Sequence, residues 1–380
     1  MMKWGAPRLR KEKRKAATRS NFIIIQRILI LLPSQPMADA GALEGGACAA
    51  ASGTAGVTGD GASAKADQTA ASASAPSGGA SDGASEAVLR VLTYNLLAPE
   101  FTNHDFGNHG GKKNSRESPE QTSARLQLAW HFLAQAPADV VLLQEVSPLL
   151  FGLPLGGGPP PVGSAPARMR APEGAPAGAL ALCSLYHAFA AIAPDGSPGT
   201  AVLVRKASPW APSPAAAPFC VGGGERSGGG SKSATLVPLA AGGRACVACS
   251  IHTTWDGRPE LRLAQLAALE AALRAAVPEG MPRVVGGDFN CEPDSPHFAA
   301  LVAAPPLAGL RRAAGGAPTH CGRVLDHFFF SDAAFCATGL QAQEGLPLSA
   351  PYAAKGAGVV GVGVVSASDH AHVLLHLVCR

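Results

Sequence analysis

Short apolar segments that end in polar or ionisable residues restrict the fold of this chain more than any other feature of its sequence. Eight segments have the length and composition of β-strands: 88–97, 139–146, 199–205, 234–240, 244–252, 283–288, 324–331 and 372–378. Helix-like segments lie between some of them. The alternation predicts a mixed α and β fold that is built on strands and covered by helices.

Three helices are indicated by their starting signals. Ser118-Pro119-Glu120-Gln121 has the spacing of a capping box, with Pro at the first helical position. Pro259 opens a second helix in which leucines recur every three or four residues, and Ser295 precedes a shorter third helix. No apolar run in the sequence reaches ~18 residues, so no membrane span is expected.

Composition divides the chain into three segments. Residues 1–36 combine a basic stretch with a short apolar run, which is typical of a targeting leader. Residues 37–86 are nearly all Ala, Gly, Ser, Thr and Asp without periodicity and are expected to form a disordered linker. Residues 87–380 are expected to fold. An organellar leader, a surface-lying helix and a stretch upstream of a start at Met37 all fit residues 1–36, so an intracellular location, cytoplasmic or organellar, is expected.

Gly-rich stretches interrupt the pattern of strands and helices in three places. The stretches 152–178 and 207–232 are longer than ordinary connections and have no apolar period, so they are expected to be surface insertions. The stretch 345–366 is expected to be a mobile loop beside the site that contains Asp369 and His370.

Charge is distributed unevenly along the chain. Residues 1–36 contain nine Lys and Arg residues and one acid, a local charge of +8 against a total of +4. Residues 37–380 therefore carry −4. A body with that charge does not hold nucleic acid through its overall field. An anionic substrate would have to be held by a local site or by a metal ion.

Six of the strand-like segments place polar or ionisable groups at or beside an end. The eight residues concerned are Asn95, Glu145, His252, Asp288, Asn290, Asp326, Asp369 and His370. Each alone is ordinary in a capped turn or an exposed loop, but burying such groups is costly unless they pair or bind a metal. Their recurrence at strand ends predicts that they converge on one metal and acid–base site.

The oxygen ligands in this set indicate which metal it would bind. Carboxylate and amide oxygens dominate, and no cysteine is among the eight residues, which favours Mg²⁺ or Mn²⁺ over zinc. Mg²⁺ keeps several waters in proteins and uses one or two carboxylates together with phosphate oxygens of the substrate. The set therefore suits metal-assisted hydrolysis of a phosphoester.

One superfamily matches the order of these motifs. The chain presents, in order, TYN at 93–95, QEV at 144–146, a strand that ends in His252, GDFN at 287–290, LDH at 325–327 and SDH at 368–370. This order resembles the endonuclease/exonuclease/phosphatase superfamily, with its deoxyribonuclease I-like fold, over residues 88–380. The resemblance implies an α+β fold of four layers, a two-sheet β-sandwich flanked by helices, with 87–380 as the catalytic domain and the site at one end of the sandwich.

The resemblance also implies which residues hold the metal and the attacking water. Glu145 would be the main ligand of Mg²⁺ or Mn²⁺, with Asn95 close to the metal. Asp369 would complete the shell of the metal or of the water. Asp288 would orient or deprotonate the attacking water.

The remaining motif residues would act on the phosphate. Asn290 would hold the phosphate beside Asp288, and His252 would stabilise it or help the leaving group. His370 would contact the scissile phosphate, with Asp326 fixing the tautomer and the angle of its ring.

The segment HTTWDGRPELRLAQL, which starts at His252, resembles the nocturnin and deadenylase branch of the superfamily. In that branch the strand-ending His is followed by a Trp and by a helix with Arg and Gln, which here are Trp255, Arg262 and Gln265. Trp255 and Arg262 would then bind substrate together with Asn290, while packing of Trp255 beneath the helix is the alternative. The same helix and QEVSPLLF are also similar to tyrosyl-DNA phosphodiesterases.

These resemblances leave several functions open. The first is a monomeric Mg²⁺-dependent phosphodiesterase or exonuclease that acts on the 3′ end of RNA rather than on DNA. The second is a small-molecule phosphatase acting on a phosphorylated nucleotide. It is favoured because 319–326, the counterpart of a base-stacking stretch in deadenylases, has no Phe, Tyr or Trp. DNA-end repair is the third, and a catalytically inactive binding module, against which the complete motif set argues, is the fourth.

Overall fold

A computed structural model of the chain describes a set of ranges between residues 87 and 380. They are 87–98, 118–153, 168–192, 198–213, 219–222, 233–255, 259–313, 318–320, 322–343, 349–356, 359–366, 368 and 370–380. The predicted leader (1–36) and linker (37–86) lie outside the described residues, as does Asp369.

Sixteen strands are present in the described ranges. In chain order they are β1 (Val88–Asn95), β2 (Val140–Val146), β3 (Arg168–Met169), β4 (Tyr186–Ala191), β5 (Gly199–Arg205), β6 (Ala211–Pro212), β7 (Phe219–Gly222), β8 (Ser233–Ala241), β9 (Arg244–His252), β10 (Arg283–Asp288), β11 (Arg311–Arg312), β12 (Asp326–Phe330), β13 (Phe335–Gln343), β14 (Ser349–Gly356), β15 (Val359–Ser366) and β16 (His372–Cys379). The α-helices are α1 (Pro119–Gln135), α2 (Ala177–Leu185), α3 (Pro259–Ala276) and α4 (Pro296–Ala303), and Pro148–Phe151 forms a 3₁₀ turn.

The strands form two large sheets and one separate hairpin. The first sheet has the order β13-β16-β1-β2-β5-β4-β3. The second has the order β11-β12-β10-β9-β8-β6, and β7 also pairs with β8. Strands β14 and β15 pair only with each other among the described residues. This is the α+β, two-sheet architecture that the motif order implied.

Three apolar cores separate the four layers of the fold. Successive side chains of one strand point to opposite faces of the sheet, so a single strand contributes to two of these cores. On β1, Val91 belongs to the core between the sheets, whereas Leu92 packs in the core beneath α1. On β10, Val284 faces the core between the sheets, and Val285 packs against the leucines of α3. Each central strand is therefore buried on both faces, and α1 and α3 cover opposite sides of the sandwich.

Parallel pairing brings the functional strand ends together. β1 pairs with β2 in parallel, with Asn95 opposite Gln144, and β9 pairs with β10 in parallel, with His252 opposite Asp288. Because parallel strands end on the same edge of a sheet, each sheet presents two chemistry-bearing ends at one edge. The candidate site lies where those two edges meet.

The expectation of a mobile loop at 345–366 is wrong. Two eight-residue strands, β14 and β15, form a continuous antiparallel ladder from the Ser349 and Ser366 pair to the Gly356 and Val359 pair. The glycines in this stretch favoured a loop, but they alternate with valines, which have a strong preference for strands. The expected insertions also contain short regular elements, namely β3 and the start of α2 in 152–178 and β6 and β7 in 207–232.

Gly287 allows β10 to deliver Asp288 at the end of the strand, and we expect its replacement by Ala to destabilise the fold. Its φ is 153°, and a Cβ atom at this position would lie 1.9 Å from the backbone oxygen of Ile251 on β9. The Gly287→Ala variant should therefore lose at least about 2 kcal/mol of unfolding free energy. Gly243, in the turn between β8 and β9, has a φ of 80° with no atom within 4 Å of such a Cβ. Gly243→Ala, the control, should lose only about 1 kcal/mol of unfolding free energy, as measured by urea unfolding. Equal losses in the two variants would contradict the expectation.

None of the helices in the described ranges combines the length and the hydropathy that are needed to cross a lipid bilayer.

Candidate active site

The carboxylate of Asp288 is the centre of the candidate site. Its Oδ2 atom accepts a hydrogen bond from Asn95 Nδ2 at 3.1 Å. The Nε2 atom of His252 lies 3.4 Å from the same oxygen, and the Nε2 atom of His370 lies 3.8 Å from it. Only 2% of Asp288 is exposed, so the group is held in place by surrounding side chains rather than by water. Four residues predicted from separate motifs thus meet at one oxygen atom.

Asn95 bridges the two carboxylates of the site. Its amide nitrogen contacts Glu145 Oε1 at 3.3 Å in addition to Asp288, while its amide oxygen accepts from the backbone N–H of Leu97 at 3.0 Å. Because only the oxygen can accept from that N–H, the orientation of the amide is fixed. The NH₂ group of Asn95 holds the two carboxylates together, and the expectation that Asn95 lies close to a metal stays a prediction.

Glu145 reaches the site through a local irregularity of β2. Its φ is 54°, in the left-handed region, and the pairing of β2 with β5 shifts register between Gln144 and Val146. The bulge turns the carboxylate out of the strand, where Oε2 accepts from the backbone N–H of Ala98 at 3.1 Å. Its Oε1 atom lies 3.9 Å from His252 Nε2. A strained backbone at a polar strand end is typical of functional positions.

A buried polar bridge, which none of the sequence motifs indicates, joins the two sheets directly behind the site. Gln144 Nε2 donates to Ser250 Oγ at 3.0 Å, and Ser250 Oγ donates to the carbonyl oxygen of Leu143 at 2.8 Å. Thr93 on β1 also bonds the Gln144 side chain. Since Asn95 and Glu145 belong to the first sheet and Asp288 to the second, this bridge fixes the spacing of the groups in the site. Its only sequence signal is polar residues inside otherwise apolar strands.

Asn290 is held beside Asp288 by a tight turn. Its φ is 47°, its backbone N–H donates to Asp288 Oδ1 at 2.8 Å, and its Nδ2 donates to the carbonyl oxygen of Thr253 at 2.9 Å. The turn links the end of β10 to the end of β9. This bond uses one hydrogen of the Asn290 NH₂ group, and the second hydrogen can donate to a phosphate oxygen of a ligand.

His370 and Asp326 form a close pair. The distance from His370 Nδ1 to Asp326 Oδ2 is 2.9 Å, and both side chains are buried. Burial alone raises the pKa of the Asp326 carboxyl, but the neighbouring His370 and Thr319 outweigh burial, and the pKa lies below its ordinary value. Asp326 is therefore an anion at neutral pH and holds the Nδ1–H tautomer of His370, which leaves Nε2 directed toward Asp288.

Trp255 and Arg262, which follow His252 in the sequence, lie in different environments. Trp255 is 66% exposed, so it does not pack beneath α3. Arg262 is buried on α3, and its Nε donates to the carbonyl oxygen of Thr254 at 2.9 Å. Gln265 accepts from the backbone N–H of Thr254 at 3.0 Å. The guanidinium of Arg262 supports the backbone of the loop from which the Trp255 side chain projects, and its expected contact with substrate stays a prediction.

The sequence matches a known family over most of its length. The profile described as "Endonuclease/Exonuclease/phosphatase family" matches residues 92–370, which include every site residue described above. The chain belongs to this family. A search of curated proteins finds no significant match. Enzymes of the family hydrolyse phosphoesters, and this chain is accordingly a phosphoester hydrolase of the nuclease and phosphatase type.

Solved structures of the family share the fold. The catalytic domain of human nocturnin with bound sulfate is 16% identical, over 77% of this chain and 94% of that chain, with a TM-score of 0.51. A humanized D. rerio TDP2 is 14% identical over 76% and 98%, with a TM-score of 0.51. The mannosyl-6-phosphatase Bt3783 of Bacteroides thetaiotaomicron is 15% identical over 76% and 99%, with a TM-score of 0.50. At these identities the likeness concerns the fold.

Enzymes of this family typically use divalent metals, and the side chains of the site fit such an ion. Glu145 and Asp288 are two carboxylates that contact the same amide group of Asn95, so their negative charges lie close together. A divalent cation would neutralise them, and oxygen donors are those that Mg²⁺ prefers. No cluster of three His, Cys, Asp or Glu side chains in the described ranges has the arrangement of a complete metal site. One or two carboxylates with water and substrate oxygens are nevertheless what Mg²⁺ commonly uses.

Proposed function

We propose that this family member is a Mg²⁺-dependent phosphodiesterase that hydrolyses nucleotide-containing phosphoesters, with the 3′ end of RNA as its preferred substrate. The observation that carries the proposal is the exposed indole of Trp255, three residues beyond the buried His252. Three residues of chain span at most roughly 10 Å, so the flat face of the indole lies within about that distance of His252. A nucleotide whose phosphate occupies the site can therefore reach the indole with its base. Stacking on such a surface contributes about 1–3 kcal/mol per base.

Each residue of the centre has a role in this proposal. Asp288 holds and deprotonates the attacking water, and His370 Nε2 and His252 Nε2 face the phosphate that this water attacks. Asn290 supports the phosphate through its amide. Mg²⁺ would be held by Glu145 and by Asp369, the residue before His370 in the sequence, and would supply neutralisation of the phosphate charge.

A small phosphorylated nucleotide is the second candidate substrate. It is favoured by the charge of −4 on residues 37–380, because a polymer-binding groove is normally basic. The two candidates differ in their expected response to salt. Turnover of RNA through phosphate contacts should fall steeply between 50 and 200 mM salt, by as much as roughly 10³-fold, whereas turnover of a dinucleotide should change little.

A substrate panel tests the proposal with the full chain. We expect Mg²⁺-dependent shortening of oligo(A) from the 3′ end and of mixed-sequence RNA, slower reaction with the matching DNA, and loss of reaction in EDTA. Phosphate release from a phosphorylated nicotinamide dinucleotide without any shortening of RNA would establish the second candidate instead. Reaction at a blocked DNA end that does not depend on 2′-hydroxyls would indicate DNA repair, and binding without turnover would contradict both proposals.

The Trp255→Ala variant completes this experiment. Its KM for oligo(A) should rise by about 5- to 100-fold, as expected for the loss of one stacked base. Its rate on p-nitrophenyl phosphate, which has no base, should stay within about twofold of the parent chain. Leu180→Ala, which removes a side chain that is 45% exposed on α2, is the matched control and should change neither rate. An unchanged KM for oligo(A) in Trp255→Ala would remove the support for a base platform.

A further inference from the structure

A tight turn of chain beside the site contains a histidine that none of the motifs includes. The backbone N–H of His320 donates to the carbonyl oxygen of Arg323 at 3.0 Å, and the N–H of Arg323 donates back to the carbonyl of His320 at 2.8 Å. His320 also forms an isolated antiparallel bridge with His370. Backbone pairing on two sides therefore fixes the backbone of His320, which restricts the positions that its ring can take.

The imidazole rings of His320 and His370 are stacked. Their centroids are 4.5 Å apart, and the planes differ by 28°. The bond from Nδ1 to Asp326 holds one edge of the His370 ring. A hydrogen bond tolerates a range of angles, so it still permits small rotations of the ring about the Cβ–Cγ bond. Such rotation would move Nε2 away from Asp288, from which it is 3.8 Å distant. A ring packed against the face of His370 removes that freedom.

The same turn supports Asp326 as well as His370. The hydroxyl oxygen of Thr319 accepts from the backbone N–H groups of Leu325 at 3.0 Å and of Asp326 at 3.2 Å. The carbonyl oxygen of Thr319 accepts from the N–H of Ala371 at 2.6 Å. The chain segment that carries His320 thus joins the strand that holds Asp326 to the segment that carries His370, and the three side chains form one unit.

We propose that His320 is a positioning residue, whose stacked ring fixes the plane of His370 so that Nε2 faces the reacting phosphate. The proposal rests on the phosphoesterase function proposed above. The proposed role depends on the flat shape of the His320 ring and not on a proton or a charge. A phenyl ring at this position should therefore fulfil the same role. Loss of the ring should leave substrate binding almost intact, because His320 acts through His370.

The test compares His320→Ala and His320→Phe in the full chain with Mg²⁺ and the best substrate of the panel. His320→Ala should lower kcat by about 10- to 100-fold with a KM within about threefold of the parent, because small misplacements of a reacting group have effects of this size. His320→Phe should retain kcat within about threefold. His297→Ala, which changes an exposed histidine on α4, should leave both constants unchanged.

A second measurement does not depend on activity. Histidine ring nitrogens labelled with ¹⁵N should give one sharp set of His370 signals in the parent chain and in His320→Phe, and broadened or doubled signals in His320→Ala. Unchanged kcat and unchanged His370 signals in His320→Ala would overturn the proposal, as would a His320→Phe variant as slow as His320→Ala. A raised KM with an unchanged kcat would also overturn it, because His320 would then contact substrate directly. If the parent chain hydrolyses no phosphoester, the proposed function fails, and the ring signals still test the positioning of His370.

Discussion

Replacement of Asp288 by Asn is expected to lower kcat by about 10²–10⁴-fold, the range over which a positioned general base contributes. The substitution keeps the shape of the side chain but removes the charge at the oxygen on which Asn95, His252 and His370 converge. An amide cannot take a proton from water, so the variant lacks a general base at this position. The rate should be measured on the best substrate of the panel at saturating Mg²⁺.

The fold of the Asp288→Asn variant should survive, and this separates a chemical effect from a structural one. Its Oδ1 atom can still accept from the N–H of Asn290, so the turn after β10 keeps its bond. Circular dichroism and thermal unfolding should match those of the parent chain. Asp332→Asn, which changes a partly exposed carboxylate paired with Arg311 on the surface, is the control and should retain full activity. Activity within tenfold of the parent in Asp288→Asn would exclude Asp288 as the general base.

The placement of the central residues could be predicted because it follows from strand geometry. Asn95 and Glu145 end neighbouring parallel strands of one sheet, and His252 and Asp288 end neighbouring parallel strands of the other. Side chains in the middle of these strands are buried on both faces, whereas a side chain at the end of a strand can leave the apolar core. Polar groups therefore accumulate at the strand ends. What the spacing of motifs cannot supply is the contact between the two sheets, since it depends on the buried bridge of Gln144 and Ser250.

The elements that were missed depend on tertiary contacts. Strand β4 is rich in alanine and lies between β3 and β5, so its pairing partners rather than its own preference make it a strand. Arg262 lies on the helix that the sequence predicts, but spacing does not say whether its guanidinium turns toward an anion or toward backbone carbonyls. His320 belongs to no motif, and its relation to His370 arises only when two segments that are distant in sequence lie side by side.

Two buried histidines outside the centre make the fold sensitive to acid. His327 is surrounded by the rings of Phe289, Phe298 and Phe329, and its Nε2 donates to the carbonyl oxygen of Cys291 at 2.8 Å. His372 has a comparable environment of aromatic rings beneath α1. Burial lowers the pKa of each to about 4. Both side chains are therefore neutral in the folded chain at pH 7, and each would have to be protonated inside an apolar core at low pH.

We expect the unfolding free energy to fall as the pH decreases from about 6.5 to about 4. Histidines of the unfolded chain take up protons near pH 6.5, while His327 and His372 in the folded chain do so only near pH 4. The unfolded state thus binds more protons in this window, and acid favours it. A difference of about 2.5 pKa units corresponds to roughly 3 kcal/mol for each histidine.

The slope of stability against pH tests this expectation better than stability itself, because any core substitution changes the absolute value. Urea unfolding at several pH values should show a slope that is smaller by up to about 1.4 kcal/mol per pH unit in His327→Gln or in His372→Phe, since each variant removes one titrating group. His131→Gln, on the exposed face of α1, is the matched control and should keep the slope of the parent chain. If the slopes of both core variants equal that of the parent, the acid sensitivity arises elsewhere. His376 on β16 is then the next group to test, because burial and the neighbouring Arg90 lower its pKa below the ordinary value, so that it too takes up its proton later in the folded chain than in the unfolded chain.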